Sequence, residues 1–88
     1  MKLQFTSAAW DDYCRWQEVD PAMLARINAL LIDMRRDPFR GIGKPEPLRG
    51  ELSGWWSRRI NREHRLIYRC AGKGADQSLE ITQCRDHY

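Results

Sequence analysis

A chain of 88 residues, 42% hydrophobic and 31% charged, suits one small folded domain (1–88) and is neither a disordered tail nor a pair of domains. No apolar run approaches the ~20 residues that cross a bilayer, and Met1 to Thr6 runs straight into Asp11 and Asp12 rather than into a secretory leader, so a cytoplasmic protein with no membrane partner is expected. The net charge of +3 hides an uneven distribution: residues 35–69 hold ten Lys/Arg against four acids, and the rest holds five against eight. That density of Arg reads either as a footprint for a polyanion or as a solvated face whose arginines pair with nearby acids.

In chain order, Lys2–Thr6 alternates polar and apolar residues and predicts a short strand. Thr6 or Ser7 caps a helix through about Val19, with Ala9, Trp10, Tyr13, Cys14 and Trp16 on one broad face. Asp20-Pro21 restarts the chain as an N-cap followed by a proline suited to the first helical position. Met23, Ile27, Leu30, Leu31 and Met34 form a helical stripe, Arg35 and Arg36 sit in the last turn, and Pro38 ends it. Arg26 is placed on the outer face of this second helix. Residues 38–50 hold three prolines and three glycines and predict a structured loop. Trp55–Asn61 and His64–Ala71 read as a hairpin, Gly72–Gln77 as a turn, and Ser78–Cys84 as a last strand. The expected architecture is α+β, β-α-α-β-β-β, an antiparallel sheet with two helices on one face.

Strand alternation then sorts the side chains. Trp56 and Ile60 share one face, as do Leu66, Tyr68 and Cys70. Ser57 and Arg59, and Arg65, Ile67 and Arg69, take the other, so Arg59 and Arg65 are expected to meet opposite the core. In the last strand Leu79 and Ile81 share parity with His87, which requires a bend or bulge before Arg85.

Cys14, Cys70 and Cys84 are odd in number and lack C-x-x-C spacing, which fits small half-buried thiols rather than a disulfide framework or a zinc site. The chemistry open to the remaining residues is proton transfer and charge stabilisation at a phosphodiester: a base for the ribose 2′-hydroxyl, an acid for the leaving 5′ oxygen, and cations for the phosphorane. Glu46 lies between Pro45 and Pro47, which restrict its backbone and aim its carboxylate. His87, beside Tyr88, is an imidazole suited to proton transfer at neutral pH. From residues alone this is a basic α+β domain that could be directed at RNA.

The stretches Trp10-Asp11-Asp12-Tyr13, Arg35-Arg36-Asp37-Pro38-Phe39, Gly43-Lys44-Pro45-Glu46-Pro47-Leu48, Leu52-Ser53-Gly54-Trp55-Trp56-Ser57-Arg58-Arg59-Ile60, Glu63-His64-Arg65-Leu66-Ile67-Tyr68 and His87-Tyr88 together resemble the YoeB toxins of the RelE superfamily. The resemblance implies a ribosome-dependent endonuclease that cuts mRNA in the A site by acid–base chemistry, with no metal and no cofactor. It implies Glu46 as general base, His87 as general acid, Arg65 as the transition-state cation, and Tyr88 helping to shape the site. Lys44, Arg49 and Arg59 would hold the RNA backbone. The implied partners are the ribosome with its mRNA, and a YefM-like antitoxin whose C-terminal segment covers the site and through which alone operator DNA is reached. A homodimer is also allowed. Trp55, Trp56 and Ile67 beside the Arg cluster are expected to leave apolar surface for an acidic, aliphatic antitoxin segment. Arg49 stands where the family pattern leads to Lys, and Asp86 where an aromatic is common. The alternatives on the same superfamily fold are a ParE-like gyrase poison and a non-catalytic co-repressor; the pairing of Glu46 with His87-Tyr88 favours the nuclease.

Overall fold

The computed structural model describes residues 1–86. The chain forms β1 (Lys2–Phe5), α1 (Ser7–Val19), α2 (Pro21–Arg36), β2 (Glu46–Pro47), β3 (Trp56–Arg59), β4 (Arg65–Ala71) and β5 (Ser78–Gln83), with short 3₁₀ turns at Gly50–Leu52 and Gly74–Asp76.

Both helices begin where their sequences demand. The Thr6 hydroxyl accepts the Ala9 N–H at 3.1 Å, and the Asp20 carboxylate accepts the Met23 N–H at 3.2 Å, so each cap satisfies a helix-terminal donor. Asp20 also ends α1, its own N–H donating to the Trp16 carbonyl, and Pro21 opens α2 with no gap between. The two helices are then tied across by the Tyr13 hydroxyl donating to Asn28 Oδ1 at 2.6 Å. Their buried stripe (Ala9, Trp16, Ile27, Leu30, Leu31 and Met34) packs on Ile60, Leu66, Tyr68, Leu79 and Ile81 from one face of the sheet. Trp10 stays half exposed and stacks on Tyr13 beside Phe5 instead of entering this core.

The strand order is β1-β5-β4-β3-β2. The β2–β3, β3–β4 and β4–β5 pairs are antiparallel, as short connections require, but β1 runs parallel to β5. The sheet is therefore mixed, a correction to the all-antiparallel expectation. The turn rule governs only strands adjacent in the chain, and β1 meets β5 across nearly the whole sequence. The loop read at 38–50 also contains a strand: Glu46–Pro47 pairs with Ser57 and Trp56.

The bend needed before Arg85 is present as a β-bulge. Tyr68 pairs with Ile81 while Ile67 pairs with Gln83, which leaves Thr82 without a cross-strand partner. Parity switches there, so Leu79, Ile81 and Cys84 all reach the core. Arg26 is a second correction. It is half-buried, and its guanidinium donates to the backbone carbonyl of Ile60 at 3.3 Å, so it belongs to the helix–sheet junction and not to an outer face.

Candidate functional site

The sheet register assembles the candidate residues. Glu46 on β2 stands opposite Ser57, and Arg59 on β3 stands opposite Arg65 on β4. Residues directly opposed in an antiparallel pair share a face, and so do residues two apart on one strand. Glu46, Ser57, Arg59, Arg65 and Ile67 therefore lie on the sheet face away from α1 and α2. Ser57 and Ile67 are 1% exposed, so this face has a closed, partly apolar floor rimmed by charge. Ile67 is thus no part of the expected exposed apolar surface. Trp56 is half-buried against the core and Phe39, and half-buried Trp55 lies under the Arg69 guanidinium.

The candidate cations come from different elements. Arg59 is exposed, while Arg65 is half-buried and its Nη1 donates to the Asn61 carbonyl at 2.9 Å, which fixes the guanidinium over the β3–β4 turn. Lys44 is exposed just before β2, and Arg49 is exposed just before the Gly50–Leu52 turn. Among the described residues, none of Lys44, Arg49, Arg59 and Arg65 has a carboxylate within salt-bridge distance, whereas Arg36 and Arg58 pair with Asp33, and Arg69 with Glu80. Of the two readings of the basic stretch, the solvated and neutralised face describes part of it, and the cations without a carboxylate partner among the described residues include Arg59 and Arg65, which share the sheet face of Glu46. His87 and Tyr88 lie outside the described residues. Among the described residues no group of three metal-ligating side chains comes together.

What holds Glu46 in place is a polar cluster that sequence reasoning passed over. Arg58 shares its strand face with Trp56 and Ile60, so alternation sends it into the core, and its side chain is fully buried. All five of its N–H groups find acceptors. Nε donates to the Tyr68 hydroxyl at 3.1 Å, one Nη1 hydrogen to Asp33 at 2.6 Å, and the remaining three to the carbonyls of Ile42, Asp37 and Arg40 at 3.1, 2.7 and 3.0 Å. Tyr68 in turn donates to the Pro38 carbonyl at 2.6 Å, and Asp33 accepts the Ile42 N–H at 2.9 Å. One buried guanidinium thus clamps the loop from 37 to 42 onto β3. Hydrogen bonds from Arg36 and then Arg58 hold the Asp33 carboxyl well below the usual range, and burial pushes the Tyr68 phenol up.

The clamped loop delivers Lys44 and Glu46. A Cβ on Gly43 would meet Leu30 Cδ2 at 2.7 Å and the Arg59 carbonyl at 3.1 Å, and the Arg59 N–H donates to the Gly43 carbonyl at 2.7 Å. Only glycine lets the loop approach so closely. Lys44 follows with φ +50°, a left-handed conformation sparsely occupied by side chains of its type, and Pro45 and Pro47 then flank Glu46. The cysteines offer no nucleophile on this face: burial pushes the Cys84 thiol up to about 12, and Cys84 Sγ contacts the Ala9 carbonyl inside the core. In chemical terms the face offers a carboxylate on a constrained strand and several cations that among the described residues are unneutralised. Such a set suits proton transfer beside a polyanion.

Comparison with known proteins gives matches along the full length. Residues 5–88 match the model of the YoeB-like toxin of the bacterial type II toxin–antitoxin system. The toxin YoeB of Streptomyces coelicolor is 53% identical over 88 residues, covering all of both chains. A YoeB/ParE toxin from Agrobacterium tumefaciens superposes with a TM-score of 0.97 at 53% identity, again over the whole of both chains. The toxin in a heterotetrameric YoeB–YefM complex from Staphylococcus aureus matches with a TM-score of 0.88 at 40% identity, covering all of this chain and 98% of that one. This chain belongs to the YoeB-like toxins of bacterial type II toxin–antitoxin systems.

Proposed function

We propose that this toxin is a ribosome-dependent endoribonuclease that inhibits translation by cutting mRNA in the ribosomal A site. The observation that supports it most is the register that puts Glu46, Arg59 and Arg65 on one sheet face, beside the exposed Lys44. Glu46 takes the proton of the ribose 2′-hydroxyl, the freed oxygen attacks the adjacent phosphorus, and the bond to the 5′ oxygen breaks. His87 protonates that leaving oxygen, Arg65 stabilises the charge that accumulates on the phosphorane, and Tyr88 helps to shape the site. Lys44, Arg49 and Arg59 hold the phosphates on either side. The reaction needs neither metal nor cofactor, because both proton transfers and the charge stabilisation come from side chains.

The single domain 1–88 works in the cytoplasm, where its substrate complex is. Its antitoxin is a YefM-like protein whose acidic C-terminal segment folds across the Arg59/Arg65 face. Inhibition then follows from occupancy of the site. Incubation with programmed ribosomes and mapping of the mRNA ends tests the activity. Cleavage within the A-site codon, leaving a 2′,3′-cyclic or 3′-phosphate and a 5′-hydroxyl, is the expected result. Intact mRNA on ribosomes that carry bound toxin would exclude the reading.

A further inference from the structure

His64 stands one residue before Arg65 in the junction between β3 and β4. Its ring is boxed in: it packs edge-on against Trp16 of α1, centroids 4.9 Å apart at 73°, and its side chain is only 14% exposed. Its Nδ1 accepts the backbone N–H of Asp86 at 2.8 Å. The neighbouring Arg65 N–H donates to the Asp86 carbonyl at 3.0 Å, and Gln83 Nε2 donates to the same carbonyl at 3.0 Å. Trp16 itself holds the segment one step earlier, its indole N–H donating to the Cys84 carbonyl at 2.9 Å. The chain beyond the bulge is therefore lashed to the start of β4 at both polar groups of Asp86. Asp86 has φ +65°, a left-handed conformation that an L residue keeps only when its surroundings impose it.

A nitrogen that accepts an N–H must carry a lone pair. The bond to Asp86 thus exists only with neutral His64, its proton on Nε2. The charged groups around the ring are Glu63, whose carboxylate is 3.9 Å from Nε2; Asp86, whose carboxylate is 3.9 Å from Nδ1; Arg65 alongside on β4; and Arg85, which reaches Asp86 at 3.6 Å and Asp12 of α1 at 3.7 Å. Protonation puts a hydrogen on Nδ1, turns the acceptor into a donor, and sets it against the Asp86 N–H. The Asp86 carboxylate is then the nearest acceptor, so the backbone must move to use it.

Asp86 is joined by one peptide bond to His87. We infer that His64 is a positioning residue: in its neutral form it anchors the Asp86 backbone beside Arg65 and so sets where the chain delivers the general acid. The inference rests on the nuclease reading above and adds to it an internal histidine that never touches RNA. Misplacing a reacting group by about an ångström costs on the order of 10²-fold in rate, so the anchor is worth having.

The test uses the full-length toxin and two variants. In His64→Asn the side-chain Oδ1 stands one bond from Cγ, as Nδ1 does, and accepts an N–H but does not titrate. His64→Phe keeps a ring against Trp16 and accepts nothing. Single-turnover mRNA cleavage on saturating programmed ribosomes is followed between about pH 5 and pH 8, the range in which an imidazole changes charge. His64→Phe should be slower than the parent by roughly 10- to 100-fold at neutral pH, with the gap narrowing on acidification as the parent loses its own anchor, and with unchanged ribosome affinity. His64→Asn should stay within about threefold of the parent at neutral pH and lose less activity than the parent on acidification. In the free toxins, the Asp86 amide should be protected from hydrogen exchange in the parent and in His64→Asn, and unprotected in His64→Phe. A His64→Phe variant that cleaves like the parent would overturn the inference, and so would an equal loss in both variants. If no form cleaves RNA, it is the nuclease reading that falls; Asp86 protection and the ¹⁵N shift of His64 Nδ1 still decide whether the anchor exists.

Discussion

Arg59 and Arg65 face each other directly across β3 and β4, two like charges at a cross-strand position. Such a pair opposes folding, and among the described residues no carboxylate neutralises either member. An anion placed between the two would offset this repulsion. Replacing one charge should relieve it, so Arg59→Gln should raise Tm by about 1–5 °C while weakening mRNA cleavage. Differential scanning fluorimetry beside a ribosome cleavage assay reads both. A lower Tm would mean that Arg59 is held by interactions that outweigh the repulsion.

Acid–base chemistry assigns large effects to two residues. Glu46 is exposed on a two-residue strand, and its side chain carries none of the core. Glu46→Ala and His87→Ala should each slow cleavage by roughly 10²–10⁴-fold with Tm unchanged for Glu46→Ala. Near-normal cleavage by both would remove the assignment.

The products report the nucleophile. Cleavage should persist on ribosome complexes pre-formed and then given just enough chelator to strip weakly held metal, and a 2′-deoxy substitution at the scissile nucleotide should abolish it, because the attacking oxygen is gone. A 5′-phosphate on the downstream fragment would point to attack by water instead.

Antitoxin and RNA should compete for one face. Arg65→Glu should weaken binding of a YefM-like antitoxin and RNA cleavage together, while Arg15→Glu, on an exposed position of α1, should change neither. The second helix residue Arg26 is unsuitable as such a control because its guanidinium donates to the Ile60 carbonyl just after β3. Undiminished antitoxin affinity in Arg65→Glu would place the inhibitor elsewhere.

The buried clamp has its own signature in stability. Arg58→Met leaves Asp33 and three loop carbonyls without their donor and should cost about 3–5 kcal/mol, a large share of the roughly 5–15 kcal/mol available to a small domain. The pH dependence follows from Asp33. Its folded-state pKa is depressed, so the unfolded chain binds the proton more readily. The Asp33 contribution is therefore complete above the ordinary carboxylate range near ~4 and is lost as pH falls towards the depressed value. Urea midpoints measured from neutral pH down to about pH 3 should fall for the parent and fall less steeply for Asp33→Asn, which starts lower. Parallel curves would show that the acid loss comes from other carboxylates.

The elements whose causes are local could be read from the residues in order. Thr6, Asp20 and Pro21 mark their helix ends because a cap acts within one turn, and the Met23-to-Met34 stripe follows from the helical period. Strand alternation places Arg59 beside Arg65, because a period of two leaves no other choice once the hairpin closes. The same alternation points Arg58 inward, where an unpaired charge would be costly; only the packed structure supplies Asp33, Tyr68 and three carbonyls to satisfy a buried guanidinium. The parallel pairing of β1 with β5 and the bulge at Thr82 were likewise settled by tertiary structure, since both depend on contacts between residues far apart in the chain. So was the role of His64. A histidine in a turn carries no sign of which nitrogen will be needed as an acceptor; that is decided when α1 brings Trp16 against the ring and the end of β5 brings the Asp86 N–H to Nδ1.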